Sequence, residues 1–209
     1  MRSFLGIRYR PRVLIWREGL PEISTDRLTL RIPSAHDVPA LMKFNEDQKE
    51  HFRPWFPVNA ITPTREMILT AVEDRRQQAR DDRGYRFNLF LHDSPGDVVG
   101  LCSIADLRRG AIQQAVLGYG LGHQFQGRGL MTEAVRAAVS FAFENLDLHR
   151  LEGSYMPENE KSAAILESLG FVKEGFFKNY LLLAGERQDH VVTSLLNPNW
   201  QGTGRRVQE

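Results

Sequence analysis

Two glycines, Gly127 and Gly129, lie between an apolar run and a segment with helical periodicity. The first N–H groups of a helix have no partner within the helix and carry a partial positive charge, so a glycine-rich turn at this place is suited to binding an anion. Two familiar phosphate motifs do not fit. A nucleotide P-loop has Lys-Ser or Lys-Thr after its last glycine, where this chain has Leu130 and Met131. The dinucleotide fingerprint G-x-G-x-x-G fails as well, because Thr132 takes the place of its last glycine.

The composition is that of one globular domain. With 209 residues, of which 42% are hydrophobic, the chain is long enough to bury a full core. The net charge of +1 provides no overall field that would attract nucleic acid or a membrane surface. Cys102 is the single cysteine and lies in an apolar run, so we expect a buried, reduced thiol, no intramolecular disulfide and a cytoplasmic location.

The elements that must position the glycine turn follow from hydrophobic periodicity. Alternating patterns predict seven strands, and patterns of helical spacing predict four helices. The strands are expected at 26–32, 85–92, 97–105, 113–122, 149–156, 171–183 and 187–196, and the helices at 34–46, 64–82, about 127–143 and 159–170. The turn-forming residues between the second, third and fourth strands favour an antiparallel meander. The glycine turn then opens the helix of a single β-α-β crossover.

Two motifs carry a resemblance to a known family. Gln126 and Gly129 match the pattern Q/R-x-x-G-x-G/A, with methionine in place of its last small residue, and Asn159 and Ser162 match N-x-x-S before a helix that ends in Gly-Phe. With these landmarks the chain resembles the GNAT acetyltransferases, whose first motif is the pyrophosphate loop for acetyl-CoA. The segments FRPWFP, LMTEA, YMPEN, GFVKEGF, YLLL and DHVVTSL, within residues 25–200, are similar to the ribosomal-protein-alanine N-acetyltransferase branch of that family.

The resemblance implies an α+β fold of the GNAT type, with a mixed, mostly antiparallel sheet of about seven strands flanked by about four helices. In that fold the strand before the pyrophosphate loop splays away from the next strand, here residues 112–122 and 149–156, and acetyl-CoA lies between them. The residues that the resemblance assigns to acetyl-CoA are Leu121, Gln126, Gly127, Arg128, Gly129, Leu130, Met131, Thr132, Asn159 and Ser162. No metal is expected, since no His, Cys and Asp residues have the spacing of metal ligands.

The implied reaction is direct attack of a neutral amine on the thioester carbonyl. A main-chain N–H near Tyr119 or Leu121 would meet the oxyanion. By resemblance, the hydroxyl of Ser162 donates to the departing thiolate, and its alternative role is at the start of the helix beside Asn159. Tyr119 either contacts the thioester or belongs to the core.

No residue stands out as the general base. An α-amine has a pKa of about 7.7 to 8.0, so a useful fraction is neutral near pH 7 and a strong base is less necessary than for lysine. A water relay to Glu50, His51 or Glu152 stays open, and so does a solvated surface position for each of them.

The amine acceptor is expected at the segment EHFRPWFP, residues 50–57, where it approaches the splayed strands. An extended peptide terminus needs apolar walls and a few polar groups, which His51, Phe52 and Trp55 would supply. The alternative is a hydrophobic plug between the first two helices.

The resemblance implies transfer of the acetyl group of acetyl-CoA to the N-terminal alanine of a small-subunit ribosomal protein, by a monomer or weak dimer without membrane contact. Two alternatives remain: acetylation of a small amine such as an amino acid, polyamine or antibiotic, and a non-catalytic acyl-CoA-binding factor in ribosome assembly.

The chain is divided into three parts. Residues 1–24 are interpreted as an arginine-rich extension, whose apolar stretches are too interrupted for a signal peptide or membrane span. Residues 25–197 are interpreted as the acetyltransferase domain and 198–209 as a tail.

Overall fold

The structure is a computed structural model that describes residues 13–56 and 63–202. Within these residues there are four α-helices: α1 (Val38–Phe52), α2 (Arg65–Arg80), α3 (Leu130–Glu144) and α4 (Glu160–Ser168). The strands are β1 (Val13–Arg17), β2 (Leu20–Ser24), β3 (Leu28–Arg31), β4 (Tyr85–Leu91), β5 (Ser94–Arg108), β6 (Gln114–Leu121), β7 (Arg150–Tyr155), β8 (Val172–Leu183) and β9 (Glu186–Leu196).

All of these strands form one sheet with the order β1-β2-β3-β4-β5-β6-β7-β9-β8. β4, β5 and β6 are antiparallel neighbours, as the turn residues between them predict. β6 and β7 are parallel neighbours, and α3 connects them. The α+β class, the meander and the β-α-β crossover are therefore confirmed.

The strand count is a correction, because the described sheet has nine strands and the prediction was about seven. The two extra strands are β1 and β2, a hairpin that pairs with β3 and lies within the segment interpreted as an N-terminal extension. β2 buries Leu20 and Ile23, while most of β1 is exposed at the edge of the sheet. A short edge strand carries little alternation, which is why the sequence pattern did not reveal it. Residues 1–12 of that segment, and 203–209 of the predicted tail, lie outside the described residues.

The helices cover the two faces of the sheet, and the sheet separates two apolar clusters. Phe87 and Leu89 of β4 pack in the cluster that contains Phe141 of α3, whereas Phe90 packs with α1 and α2. Cys102 lies in the first cluster, and burial raises the pKa of its thiol to about 12. The prediction of a buried thiol is therefore confirmed. In the described part of the chain no helix is long and apolar enough to cross a membrane.

Candidate active site

A gap opens between β6 and β7 at the centre of the sheet. Their parallel pairing ends at Leu117 and Gly153, although β6 continues to Leu121 and β7 to Tyr155. Beyond that point β6 stays paired with β5, and β7 stays paired with β9. The two strands thus diverge where the resemblance predicts splaying, and their facing edges have main-chain groups free to bind a ligand.

The main-chain groups of Tyr119 and Leu121 point toward this gap. Gly122 N–H donates to the carbonyl of Val99 at 2.9 Å, so this pair is bonded across the two strands. Leu121 lies opposite Gly100, one position along the register of β6 with β5. In an antiparallel ladder, residues alternate between facing the partner strand and facing away from it. Beyond Leu117, Tyr119 and Leu121 are therefore the residues of β6 whose N–H and C=O groups face away from β5.

The turn between β6 and α3 is held open by its glycines. Gly127 and Gly129 have φ angles of +73° and +72°, which lie in the left-handed region that favours glycine. A Cβ atom built on Gly127 would meet no heavy atom within 4 Å, so this side of the turn faces open space. Among the described residues, the main-chain N–H groups of 127–132 have no hydrogen-bond acceptor. They are available to an anion at the N-terminus of α3.

The side chains of this turn divide between the core and the surface. Leu130 and Met131 are buried, Thr132 is half-buried and Arg128 is exposed. Met131, which departs from the small residue of the family motif, therefore packs beneath the turn and leaves its outer side unobstructed.

A polar cluster that the sequence did not reveal anchors the same turn. The guanidinium of Arg27 donates to the main-chain carbonyl of Arg128 at 2.8 Å and to the carboxylate of Glu133 at 2.7 Å. Glu133, in the first turn of α3, also accepts from the hydroxyl of Thr25 at 2.7 Å and from the N–H of Arg27 at 2.9 Å. These contacts join the turn and α3 to the chain before β3, more than a hundred residues away. The cluster also neutralises a carboxylate that would otherwise repel an anion there.

On the far side of the gap, α4 brings Ser162 to Tyr119 of β6. The two hydroxyl oxygens are 2.8 Å apart, and the phenol also lies 3.2 Å from the main-chain carbonyl of Ser162. Burial raises the pKa of Tyr119 to about 12, so the phenol stays protonated at neutral pH. The side chain of Asn159 caps α4 by accepting from the N–H of Ser162 at 3.1 Å. The helix start thus depends on Asn159, and the hydroxyl of Ser162 is available for another role.

Aromatic rings from the end of α1 lie directly against β6. A Cβ atom built on Gly120 would be 3.1 Å from ring atoms of both Phe52 and Phe56. The sequence predicts Phe52 and Trp55 for the acceptor site and does not single out Phe56. Trp55 is half-buried in the turn after α1, but it is Phe56 whose ring lies with that of Phe52 next to Gly120. The absence of a side chain at Gly120 is what lets the rings approach so closely.

The rings of Phe52 and Phe56 form an aromatic wall beside β6, and His51 connects this wall to the gap. Its Nε2 atom lies 3.1 Å from the carbonyl oxygen of Leu121 and 3.0 Å from the side-chain amide nitrogen of Gln126. Lys161 of α4 donates to the amide oxygen of Gln126 at 2.7 Å. The side chain of Gln126 therefore contacts His51 and Lys161, a position that the sequence motif alone did not indicate.

The two carboxylates considered as bases lie beside arginines. Glu50 is largely exposed, and its carboxylate is 3.5 Å from Arg53. Glu152 accepts from Arg150, which also pairs with Glu174 and, chiefly through that hydrogen bond, lowers the pKa of Glu174 to about 2. Among the described residues, no three His, Cys, Asp or Glu side chains are grouped so as to hold a metal ion.

Comparison with known proteins identifies similar chains. A family model for an acetyltransferase (GNAT) domain matches residues 27–172. The chain is 32% identical over 191 residues to the ribosomal protein uS5-alanine N-acetyltransferase of Escherichia coli strain K12, with 88% of this chain and 96% of that protein covered. The structure of the ribosomal-protein-S5-alanine acetyltransferase of Vibrio fischeri is similar, with a TM-score of 0.80, 27% identity, and 86% of this chain and 98% of that chain covered. Mycobacterium smegmatis RimJ, solved in complex with CoA-disulfide, has a TM-score of 0.74 at 28% identity, with 81% of each chain covered.

Proposed function

Because the chain belongs to the GNAT acetyltransferase family, we propose that it transfers the acetyl group of acetyl-CoA to the N-terminal alanine of a small-subunit ribosomal protein. The observation that carries this proposal is the gap between β6 and β7, bordered by the free N–H groups of residues 127–132 and by the aromatic wall at Gly120. The 32% identity to an enzyme named for ribosomal protein uS5 supports this acceptor over a small amine.

In this proposal acetyl-CoA lies along the gap with its pyrophosphate at the N-terminus of α3. The N–H groups of residues 127–131 and the hydroxyl of Thr132 would bind the pyrophosphate, since helix N-termini favour anions. The main-chain N–H of Leu121 would bind the pantetheine arm as a neighbouring strand would, while its carbonyl contacts His51. Gln126 would border the same site, and Asn159 would fix the start of α4.

The chemistry would occur where Tyr119 and Ser162 meet. The amine attacks the thioester carbon, and a main-chain N–H of β6 that faces the gap stabilises the oxyanion. The Ser162 hydroxyl then donates to the thiolate as the C–S bond breaks. Tyr119, protonated and bonded to Ser162, would orient that hydroxyl.

The acceptor assignment is tested by incubating the enzyme with acetyl-CoA and a panel of amines, followed by mass spectrometry. The panel contains Ala-initiated peptides, the same peptides with a blocked α-amine, free lysine, polyamines and aminoglycosides. Acetylation of α-amines of Ala-initiated peptides alone is the expected result. Turnover of small amines only would contradict the proposal, and acetyl-CoA binding without any turnover would favour a non-catalytic factor.

Arg27→Met is expected to weaken acetyl-CoA binding by about tenfold, because it leaves the Glu133 carboxylate uncompensated near the pyrophosphate. Calorimetry of acetyl-CoA binding measures the effect. The added change Glu133→Gln should restore most of the affinity, since the repelling charge is then gone. Arg31→Met is the matched control, because it breaks a similar ion pair with Asp37 elsewhere and should leave the affinity unchanged. Failure of Glu133→Gln to restore binding would contradict the electrostatic role.

Gly120→Ala is expected to raise the KM for an Ala-initiated peptide by roughly three- to tenfold, with little effect on acetyl-CoA affinity. The added methyl would displace the rings of Phe52 and Phe56, and overpacking of this size costs about 1 kcal/mol or more. Gly118→Ala is a comparator on the same strand, since its methyl would meet the side chain of Ser103 and no aromatic ring. Equal effects of the two variants on the peptide KM would argue against an acceptor role for the wall.

A further inference from the structure

We propose that His51 is the general base that takes the proton from the attacking amine. This inference rests on the proposed acetyl transfer. It assigns a residue to the removal of the proton from the amine, the step for which the proposed function names no group. His51 touches both halves of the site: it is adjacent to Phe52 of the aromatic wall, and its Nε2 atom contacts Leu121 at the edge of the gap.

The partners of Nε2 require opposite protonation states. The carbonyl of Leu121 only accepts, so it pairs with Nε2 when that atom carries a proton. Lys161 donates to the amide oxygen of Gln126, which turns the NH₂ group of Gln126 toward His51. That NH₂ group donates, so it pairs with Nε2 only when the atom is unprotonated.

These two contacts suit a group that gains and loses a proton at Nε2. In the neutral ring with its proton on Nδ1, Nε2 accepts from Gln126, and the attacking amine would displace that amide as the donor to the single lone pair of Nε2. In the imidazolium, Nε2–H donates to the carbonyl of Leu121. Each state thus keeps one hydrogen bond, whereas a purely structural histidine needs only one of these partners.

The electrostatic surroundings keep the ring neutral near pH 7. Burial lowers the pKa of His51 below its ordinary value, and the electrostatic effects of His123, from the turn after β6, and of Lys161, from α4, lower it further. The hydrogen bond with the Leu121 carbonyl acts in the opposite direction, and the net shift is downward. On its own helix, the neighbouring Glu50 is exposed and lies beside Arg53.

The step balances in atoms and charge. As the N–C bond forms between the amine and the acetyl carbon, the amine proton passes to Nε2 of His51, and the C–S bond breaks to give a thiolate that accepts from Ser162. The imidazolium then releases its proton to solvent, the thiolate takes one up, and CoA leaves as the thiol.

The test is the pH dependence of kcat/KM for His51→Gln, measured with any amine that the parent enzyme acetylates. In the parent, protonation of the amine and of His51 should each remove activity. A plot of log kcat/KM against pH should then change from a slope of one to a slope of two below the pKa of the ring, which lies below about 6.5. His51→Gln should lower kcat by about 100-fold and keep a slope of one at every pH below the pKa of the amine.

His123→Gln is the matched control, since it removes the neighbouring imidazole, whose ring centroid is 5.4 Å away, and should keep the slope of two. Circular dichroism and melting temperature confirm folding. A His51→Gln enzyme with parent kcat, or with reduced kcat and an unchanged slope of two, would overturn the proposal. Absence of acetylation of every amine by the parent would instead contradict the proposed function, so the two failures are distinguishable.

Discussion

Replacing Ser162 by alanine is expected to lower kcat by roughly 10- to 100-fold, with little change in acetyl-CoA affinity. A hydroxyl that donates to a developing thiolate contributes mainly in the transition state, and this range equals about 1.4 to 2.7 kcal/mol of lost stabilisation. Because Asn159 provides the cap of α4, the substitution should change the melting temperature only slightly. Steady-state kinetics and thermal unfolding on one preparation measure both quantities.

Ser168→Ala is the matched control for this experiment. Ser168 is an exposed serine at the end of the same helix, and its hydroxyl donates to the carbonyl of Ile165. Its removal should leave kcat at the parent value. If Ser162→Ala had the parent kcat per folded molecule, its hydroxyl would have no part in the chemistry.

Replacing Gly129 by valine is expected to weaken acetyl-CoA binding by about 100-fold, or about 2.7 kcal/mol. Gly129 has a φ angle of +72°, and a β-branched residue in that region is strained. The backbone would relax by moving the N–H groups of residues 127–131 that the proposal assigns to the pyrophosphate. The nearest atom to the new Cβ is a guanidinium nitrogen of Arg27 at 3.7 Å, so the backbone angle, and not a steric clash, causes the loss.

Gly19→Val separates this local effect from general destabilisation. Gly19 has a φ angle of +73° in the turn between β1 and β2, and a Cβ atom there would also meet nothing within 4 Å. Both variants should lose a similar amount of stability, since the backbone strain is similar. Calorimetry should show weakened acetyl-CoA binding for Gly129→Val alone, and parent-like affinity of that variant would contradict the placement of the pyrophosphate.

Sequence reasoning was most successful where the signal is local. The turn at Gly127 and Gly129 and the start of α4 near Asn159 each depend on residues within a few positions, so motif and conformation agree. The strands from β3 to β9 follow from periodicity for the same reason. The hairpin of β1 and β2 was missed because an exposed edge strand has little pattern to detect.

The remaining part of the site depends on contacts between distant segments. Arg27 and Glu133 are 106 positions apart and each resembles an ordinary surface charge in the sequence. Phe56 was missed because only the packing shows which ring of the aromatic segment reaches Gly120. The placement of Gln126 between His51 and Lys161 is a further example, since its motif indicates a loop but not the direction of its side chain.

The short pairing of β6 with β7 also bears on how the molecule unfolds. In the described part of the chain, the strand pairing between the block from β1 to β6 and the block formed by β7, β9 and β8 is the short ladder that ends at Leu117 and Gly153. A ligand bonded to both strands would lengthen this seam, so acetyl-CoA should strengthen the joint between the two blocks and raise the melting temperature. Without the ligand, the amide protons of Tyr119 and Leu121 should exchange with deuterium faster than those of the neighbouring residues of β6 that are bonded to β5.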